Sequence, residues 1–421
     1  MIPFTEYQNR RKALFSKMRD NSFAILFSGY PKKCSADESY PFEVNRNFYY
    51  LTGIDQEDSV LLLYKVEGEE REYLLISPFD PNKEKWYGKK LTIEEAGTIS
   101  GIRNVLLNTS LSTRVDNAIR GAYSDYGPIR TVYLDLEREN KIAEGTYIED
   151  YRRSLETVFH GIEILDIYGD IVSLRLVKSE NEIAEFRSAI EATRLGIMAA
   201  MARIAPGKKE YEIADEFHHV INDISGYQGV AFPTILASGV HTTCLHYPTP
   251  TDTIGKEDLV LMDLGSRCGY YCADVSRTVP ANGKFNDLQR TIYQIVLNCN
   301  KMIAKAAKPG LTIKDLQNLT VEFLASECLE KGLIQTKEEI RNYYFHGVSH
   351  HIGLDTHDPG SRDVPLQAGN VISDEPGLYF KDLKIGVRIE DDLLITEHGA
   401  EVLTSSILKE IDDIERFYSN R

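Results

Sequence analysis

Tryptophan is almost missing from this chain: Trp86 is the only one in 421 residues. Long apolar runs are missing too. No stretch approaches the roughly 20 residues that a membrane-spanning helix needs, so the sequence argues against membrane partners. The opening stretch, MIPFTEYQNRRKALFSKM, is amphipathic and charged, without an apolar core followed by small residues, and does not read as a secretory signal. Cysteine is sparse and scattered. The six, at positions 34, 244, 268, 272, 299 and 328, contain no CxxC pair. Cys268 and Cys272 lack the nearby sulfur or imidazole ligands that a zinc site requires. Free thiols in a reducing cytoplasm are the expectation. Positive charge is in deficit, with 48 Lys and Arg against 64 Asp and Glu and a formal net charge of −16. That disfavours nucleic acid and anionic membrane surfaces as partners. No short-period repeat or low-complexity segment interrupts the chain.

What is present supports a full core. Hydrophobic residues make up 42% of a chain long enough for more than one domain. The first part alternates helical and strand-like stretches: a helix over 5–20, then strands at Phe23–Ser28, Asn47–Leu51, Ser59–Lys65, Glu72–Ser77, Arg103–Leu107 and Thr131–Asp135, with a helix at Thr92–Ser100. This predicts a small α/β domain over residues 1–172. A different style begins at 173. Ser179-Glu180-Asn181-Glu182 is a capping box. After it Ile183, Phe186, Ile190, Ile197, Met201 and Ile204 recur at helical spacing until Ala205-Pro206-Gly207 ends the helix. Further helices are predicted over 210–223, 286–307 and 312–331, separated by glycine-punctuated strands. Residues 173–421 thus form a second domain of α+β type with a coarse two-fold plan, helices followed by carboxylate-bearing strands in each half.

Within that domain, Asp263, Asp274, His350, Glu375 and Glu390 form a set that suits a pair of divalent cations. Asp263 lies in the apolar run Leu259-Val260-Leu261-Met262-Asp263-Leu264, where burying a carboxylate is costly unless its charge is offset. An ion pair with Arg267 or Arg277 is the alternative to a metal. Asp263 and Asp274 flank Cys268-Gly269; in a simple hairpin they face each other with Cβ atoms roughly 5 Å apart. Like charges at that distance repel unless a cation intervenes. Glu375 and Glu390 are centred in the same way between Asp382 and Leu383. His346, His350, His351 and His357 crowd one segment, and composition does not say which binds. Strand alternation puts Arg388, Glu390 and Asp392 on one face and Asp391 on the other. For Asp391 and Asp392 a solvated acidic edge is expected. Two metals bridged by carboxylates can activate a water and polarise a carbonyl, so this set predicts a metallohydrolase.

These residues, in the contexts EPGLY and RIEDD, resemble the ligand motif of the pita-bread metallopeptidases. The resemblance spans roughly 175–405. The segments Ser35 to Phe42, Asn45 to Gly53 and Trp86-Tyr87-Gly88-Lys89-Lys90 resemble the N-terminal domain of the aminopeptidase P branch of that family. The resemblance implies an α/β N-terminal domain followed by a pita-bread (creatinase/aminopeptidase-type) catalytic domain. It implies a metallo-aminopeptidase that releases the N-terminal residue from peptides with proline second, with a prolidase specific for dipeptides as the nearest alternative. Its cofactor would be two divalent ions, manganese ahead of cobalt or zinc, and the protein would be a cytoplasmic homodimer or homotetramer. The five ligands carry over as Asp263 on one metal, Asp274 and Glu390 bridging, and His350 and Glu375 on the other. Glu375 would also accept the nucleophile's proton. His246 would lie near the leaving group, His357 near the substrate or developing oxyanion, and His346 beside the proline pocket. Arg388 would orient Glu390. Trp86 would either reach a neighbouring subunit's cleft or sit in the core.

Overall fold

The computed structural model of the chain describes residues 2–121, 128–137, 146–224 and 227–420. It divides into two compact units, Ile2–Arg175 and Leu176–Arg421. Among the described residues no helix is long and apolar enough to cross a membrane.

In the first unit helix α1 (Phe4–Lys17) precedes strand β1 (Ser22–Phe27). Helix α2 (Arg46–Thr52), the hairpin β2 (Val60–Val66) and β3 (Glu69–Ile76), α3 (Pro81–Tyr87), α4 (Ile93–Ser100) and β4 (Val105–Leu107) follow. Helix α5 (Leu111–Arg120), β5 (Thr131–Leu134), α6 (Tyr147–Val158), β6 (Glu163–Asp166) and α7 (Tyr168–Arg175) complete it. Six strands form one sheet in the order β4-β3-β2-β1-β5-β6. Its β1–β2–β3 centre is antiparallel and its β3–β4, β1–β5 and β5–β6 pairs are parallel. β1 is buried along its whole length, which is why it reads as an unbroken apolar run rather than an alternation.

The strand expected at Asn47–Leu51 is instead helix α2. Its polar punctuation outweighs the β propensity of Phe48-Tyr49-Tyr50. Asn45 caps the start by accepting from the Phe48 N–H at 2.9 Å, and Gly53 ends it in the left-handed region at φ 68°. Every side chain of α2 after Arg46 is buried, so the helix shows no amphipathic period to reveal it.

The second unit repeats one plan twice. Helices α8 (Glu180–Arg203) and α9 (Glu210–Asn222) lead into β7 (Tyr227–Val230), β8 (Ile235–Ser238), β9 (Leu259–Leu264), β10 (Ser266–Cys268), β11 (Tyr271–Cys272) and β12 (Val275–Pro280). Helices α10 (Asp287–Ala306) and α11 (Ile313–Glu330) lead into β13 (Val371–Asp374), β14 (Gly377–Phe380), β15 (Ile385–Arg388), β16 (Asp391–Ile395) and β17 (Ala400–Val402), with α12 (Ile411–Ser419) last. The capping box opens α8: Ser179 Oγ accepts from the Glu182 N–H, and Glu182 Oε2 accepts from the Ser179 N–H. One continuous apolar core, including Phe217, Met262, Val296 and Leu393, underlies both halves.

Strand register decides which carboxylates meet. The first hairpin turns at Gly269 and Tyr270, both at positive φ (53° and 67°), the mark of a two-residue type I′ turn. That is one residue later than the spacing suggested. Asp263 therefore faces Ser276 rather than Asp274, and Asp274 lies diagonally across from it. The second hairpin keeps its expected register: Asp374 pairs with Asp391 and Gly377 with Arg388, which brings Glu375 opposite Glu390.

Gly265 makes the first crossing possible. A Cβ there would lie 2.0 Å from the Ala273 carbonyl oxygen, on backbone that has nowhere to go. Gly265→Ala should lower stability by about 1–3 kcal/mol through overpacking. Thermal melts of the two proteins would check this, and an unchanged melting temperature would show that the strands tolerate a wider gap.

Candidate metal centre

Each hairpin and one loop delivers a ligand to the same place. Asp263 lies one residue from the end of β9, Asp274 precedes β12, Glu375 joins β13 to β14, Glu390 joins β15 to β16, and His350 sits in the loop before β13. One ligand atom from each of Asp263, Asp274 and Glu390 lies within 4.8 Å of the others. The same holds for His350, Glu375 and Glu390, and for Asp274, His350 and His357. Three overlapping trios that share Asp274, His350 and Glu390 describe a place for more than one ion.

The hydrogen bonds around these groups orient them. His350 Nδ1 lies 3.0 Å from the His351 carbonyl oxygen, which can only accept, so Nδ1 carries the proton. In the neutral ring Nε2 then turns its lone pair toward Asp274 at 3.5 Å and Glu375 at 3.4 Å. Lone pair against carboxylate is repulsive unless a cation lies between them. Ser276 Oγ donates to Glu390 Oε2 at 2.7 Å, and Ser373 Oγ lies 3.3 Å from Glu375 Oε1. Arg388 Nη2 donates to Asp263 Oδ2 at 2.7 Å. Asp263 Oδ1 is buried with no hydrogen-bond partner.

The electrostatics point the same way. Burial raises the pKa of Asp274 well above the ordinary carboxylate range, and Glu390 and Asp263 beside it add to the rise. Burial does the same to Glu390, helped by Glu375 and Asp263. Glu375 is raised by burial, with His350 and Arg388 pulling against the rise. Fully ionised, the four carboxylates outweigh Arg388 by three charges, one fewer than two divalent cations supply. The orphaned Asp263 oxygen, the inward Nε2 and this charge surplus fit bound divalent metal. Oxygen donors with one imidazole are the set that hard cations prefer.

The remaining predicted residues surround the cluster. His346 Nδ1 donates to the Gly347 carbonyl oxygen at 2.8 Å, so its Nε2 accepts from the Tyr379 hydroxyl, also at 2.8 Å. Burial pushes the His346 pKa down to about 4, with Arg388 adding to it. His357 is pushed to about 4 by burial and by His350, whose ring centroid is 4.3 Å away. His246 lies on an exposed turn, close enough to lower both values. Arg388 reaches Glu390 only through Ser276, to whose Oγ its Nε donates at 2.7 Å; its direct carboxylate partner is Asp263.

Two expectations fail. Asp391 and Asp392 are not a solvated edge but wholly buried, because Glu390 joins two ladders that both lie in the core. Asp391 is neutralised by Arg277 and Lys409, and Asp392 accepts from the Asp274 N–H. Trp86 is not in the core either: it is 83% exposed on α3. Sequence reasoning also passed over Ser276 and Tyr379. Ser276 was findable, since it shares a strand face with Asp274 two residues away. Tyr379 was not, because its partners His346 and Arg388 come from outside its own strand.

Comparison with known proteins gives a consistent picture. Residues 184–397 match Metallopeptidase family M24, and residues 7–125 match the aminopeptidase P N-terminal domain. The chain is 32% identical to the Xaa-Pro aminopeptidase of Haemophilus influenzae, over 98% of this chain and 97% of that one. It resembles the structure of a Bacillus anthracis protein provisionally assigned as an aminopeptidase P, with a TM-score of 0.96 and 39% identity over 100% of this chain and 99% of that one. It also resembles Escherichia coli aminopeptidase P with the inhibitor Pro-Leu, with a TM-score of 0.91 and 31% identity over the same shares.

The depressed His346 value carries a pH signature. Its folded pKa, about 4, lies below the ordinary 6.5. Between those values the unfolded chain takes up a proton that the folded ring refuses, so this group's contribution to stability falls as pH drops through that window. Urea melts of metal-free protein should show wild type losing stability relative to His346→Phe over the same range. A constant difference between the two would mean that His346 titrates normally in the fold.

Proposed function

The chain belongs to metallopeptidase family M24, and on that premise we propose that it is a metallo-aminopeptidase that releases the N-terminal residue from peptides with proline in second place. The observation that carries the reading is the convergence of Asp263, Asp274, His350, Glu375 and Glu390 around one largely buried space with excess negative charge, with an Asp263 oxygen and the His350 lone pair left unused inside it. In this reading Asp263 would hold one ion, His350 and Glu375 the other, and Asp274 and Glu390 would be ligands common to both. When bound, the ions lower the pKa of a water and polarise the scissile carbonyl. The oxygen-rich set suits a hard cation, and the family resemblance points to manganese, with cobalt or zinc as substitutes.

The chain's own groups do the rest. A bond to proline is a tertiary amide without an N–H, so a site for it must recognise the ring and supply a proton to the departing nitrogen. Glu375 takes the proton from the attacking water, being the one carboxylate hydrogen-bonded at one oxygen by Ser373 and facing His346 across 3.7 Å with the other. His357, neutral at physiological pH, can donate an N–H to the oxyanion as it forms. His246, on its exposed turn, serves the leaving amine in this reading. His346, fixed by Gly347 and Tyr379, lines the proline side. Arg388 holds Asp263 and, through Ser276, Glu390. We place the enzyme in the cytoplasm, a reading supported by six free cysteines, and as a homodimer or homotetramer. The exposed Trp86 and Tyr87 would be apolar surface for such an assembly to cover.

Two experiments test this. Asp274→Ala should abolish both manganese binding, measured by calorimetry, and peptidase activity. A variant retaining two bound metals and full turnover would sink the ligand assignment. A matched pair of substrates, Xaa-Pro and Xaa-Pro-Yaa-Zaa, should show hydrolysis of the longer peptide. Cleavage of the dipeptide alone would make the protein a prolidase.

A further inference from the structure

Behind the cluster lies a second set of charges that the mechanism does not use. The Arg277 side chain is wholly buried. It donates from Nε to the Leu408 carbonyl (2.9 Å), from Nη1 to those of Ser276 (2.9 Å) and Glu390 (2.6 Å), and from Nη2 to the Ile407 carbonyl (3.2 Å) and Asp391 Oδ1 (2.8 Å). A guanidinium has five N–H donors, so all are spent. Asp391, also wholly buried, accepts in addition from Thr404 Oγ1 at 2.7 Å and from Lys409 Nζ. Lys409 donates to Asn300 Oδ1 at 2.8 Å. Asn300 Nδ2 in turn donates to Asp374, to both its carbonyl oxygen and Oδ2, at 3.2 Å.

The two ends of this chain of bonds fall beside metal-site residues. One end grips the carbonyl of Glu390 itself. The other grips the carbonyl of Asp374, whose peptide bond leads into Glu375. Glu390 is held on its amide side too, its N–H donating to the Ser276 carbonyl at 3.0 Å. Its peptide groups therefore have almost no freedom to swing. Stability is a weak explanation for such a network. A buried ion pair recovers its desolvation cost only with ideal geometry, and apolar residues of like volume often serve as well. Fixed position is what apolar residues could not supply, because they cannot grip a carbonyl oxygen.

We propose that Arg277, Asp391, Lys409 and Asn300 act as positioning residues that set the spacing between Glu375 and Glu390, and so govern how tightly the second divalent ion is held. This rests on the metallopeptidase reading above. None of the four is itself a ligand; Arg277 and Asn300 grip the carbonyls of Glu390 and Asp374, and Asp391 and Lys409 link the two.

Arg277→Lys keeps a positive charge against Asp391 but has no fork with which to reach the carbonyls. Asn300→Ala leaves the Arg277–Asp391 pair intact and removes the bonds to Asp374 and Lys409, so it serves if the first variant does not fold. Manganese titrations of the metal-free full chain by calorimetry, metal-free melting temperatures, and kcat and KM on an Xaa-Pro-Yaa peptide separate the possibilities. Loss of support behind a ligand should weaken the lower-affinity manganese site by about tenfold to a hundredfold, lower kcat and leave KM nearly unchanged. A lower metal-free melting temperature with unaltered manganese affinity in the folded variant would make the network merely structural and overturn the proposal. Wild-type protein that binds no manganese would instead overturn the metallopeptidase reading beneath it.

Discussion

Like charges held together in a buried space govern everything else in the second unit. Asp263, Asp274, Glu375 and Glu390 are brought side by side by strands that have no other reason to carry carboxylates in apolar runs. Burial, and after it the neighbouring carboxylates, push Asp274 and Glu390 well above the ordinary carboxylate range. The fold tolerates the arrangement by surrounding it with groups that cannot retreat: Arg388 against Asp263, Ser276 against Glu390, and His350 locked by the His351 carbonyl. Divalent cations held there would offset the same repulsion.

The hairpins explain how so few elements gather so many ligands. Each contributes one metal-site carboxylate from either arm, and the loop before β13 adds the imidazole. The duplicated plan, two helices and then a strand cluster, places the two hairpins over one apolar core. Precision then depends on turns and close crossings. The Gly269-Tyr270 turn sets the diagonal offset of Asp263 and Asp274, and Gly265 lets the backbone pass where any side chain would collide.

Much of this was legible in the sequence, for physical reasons that vary by element. The capping box at Ser179 is local chemistry, and α8 begins where it says. Glu375 and Glu390 could be paired by counting because their hairpin has no irregularity. Asp263 and Asp274 were paired one step wrong because a Tyr at positive φ is not something residue types foretell. Asp391 and Asp392 looked like a solvated edge because Arg277 and Lys409, which neutralise Asp391, are distant in the chain. Helix α2 was misread because a segment buried on every side loses the periodicity by which helices are recognised. The family resemblance supplied the ligand set and the histidine roles; spacing alone left four histidines undistinguished.

The lone indole has an optical consequence. Trp86 stands 83% exposed on a short helix of the first unit, remote in sequence from every residue of the metal centre. Its surroundings are already close to those of an unfolded chain, so selectively excited tryptophan emission carries little information about whether the core of either unit is intact. The same isolation makes the signal clean. Any change in it reports on what touches that one helix, whereas loss of the catalytic unit's packing has to be read from that unit's tyrosines or from circular dichroism.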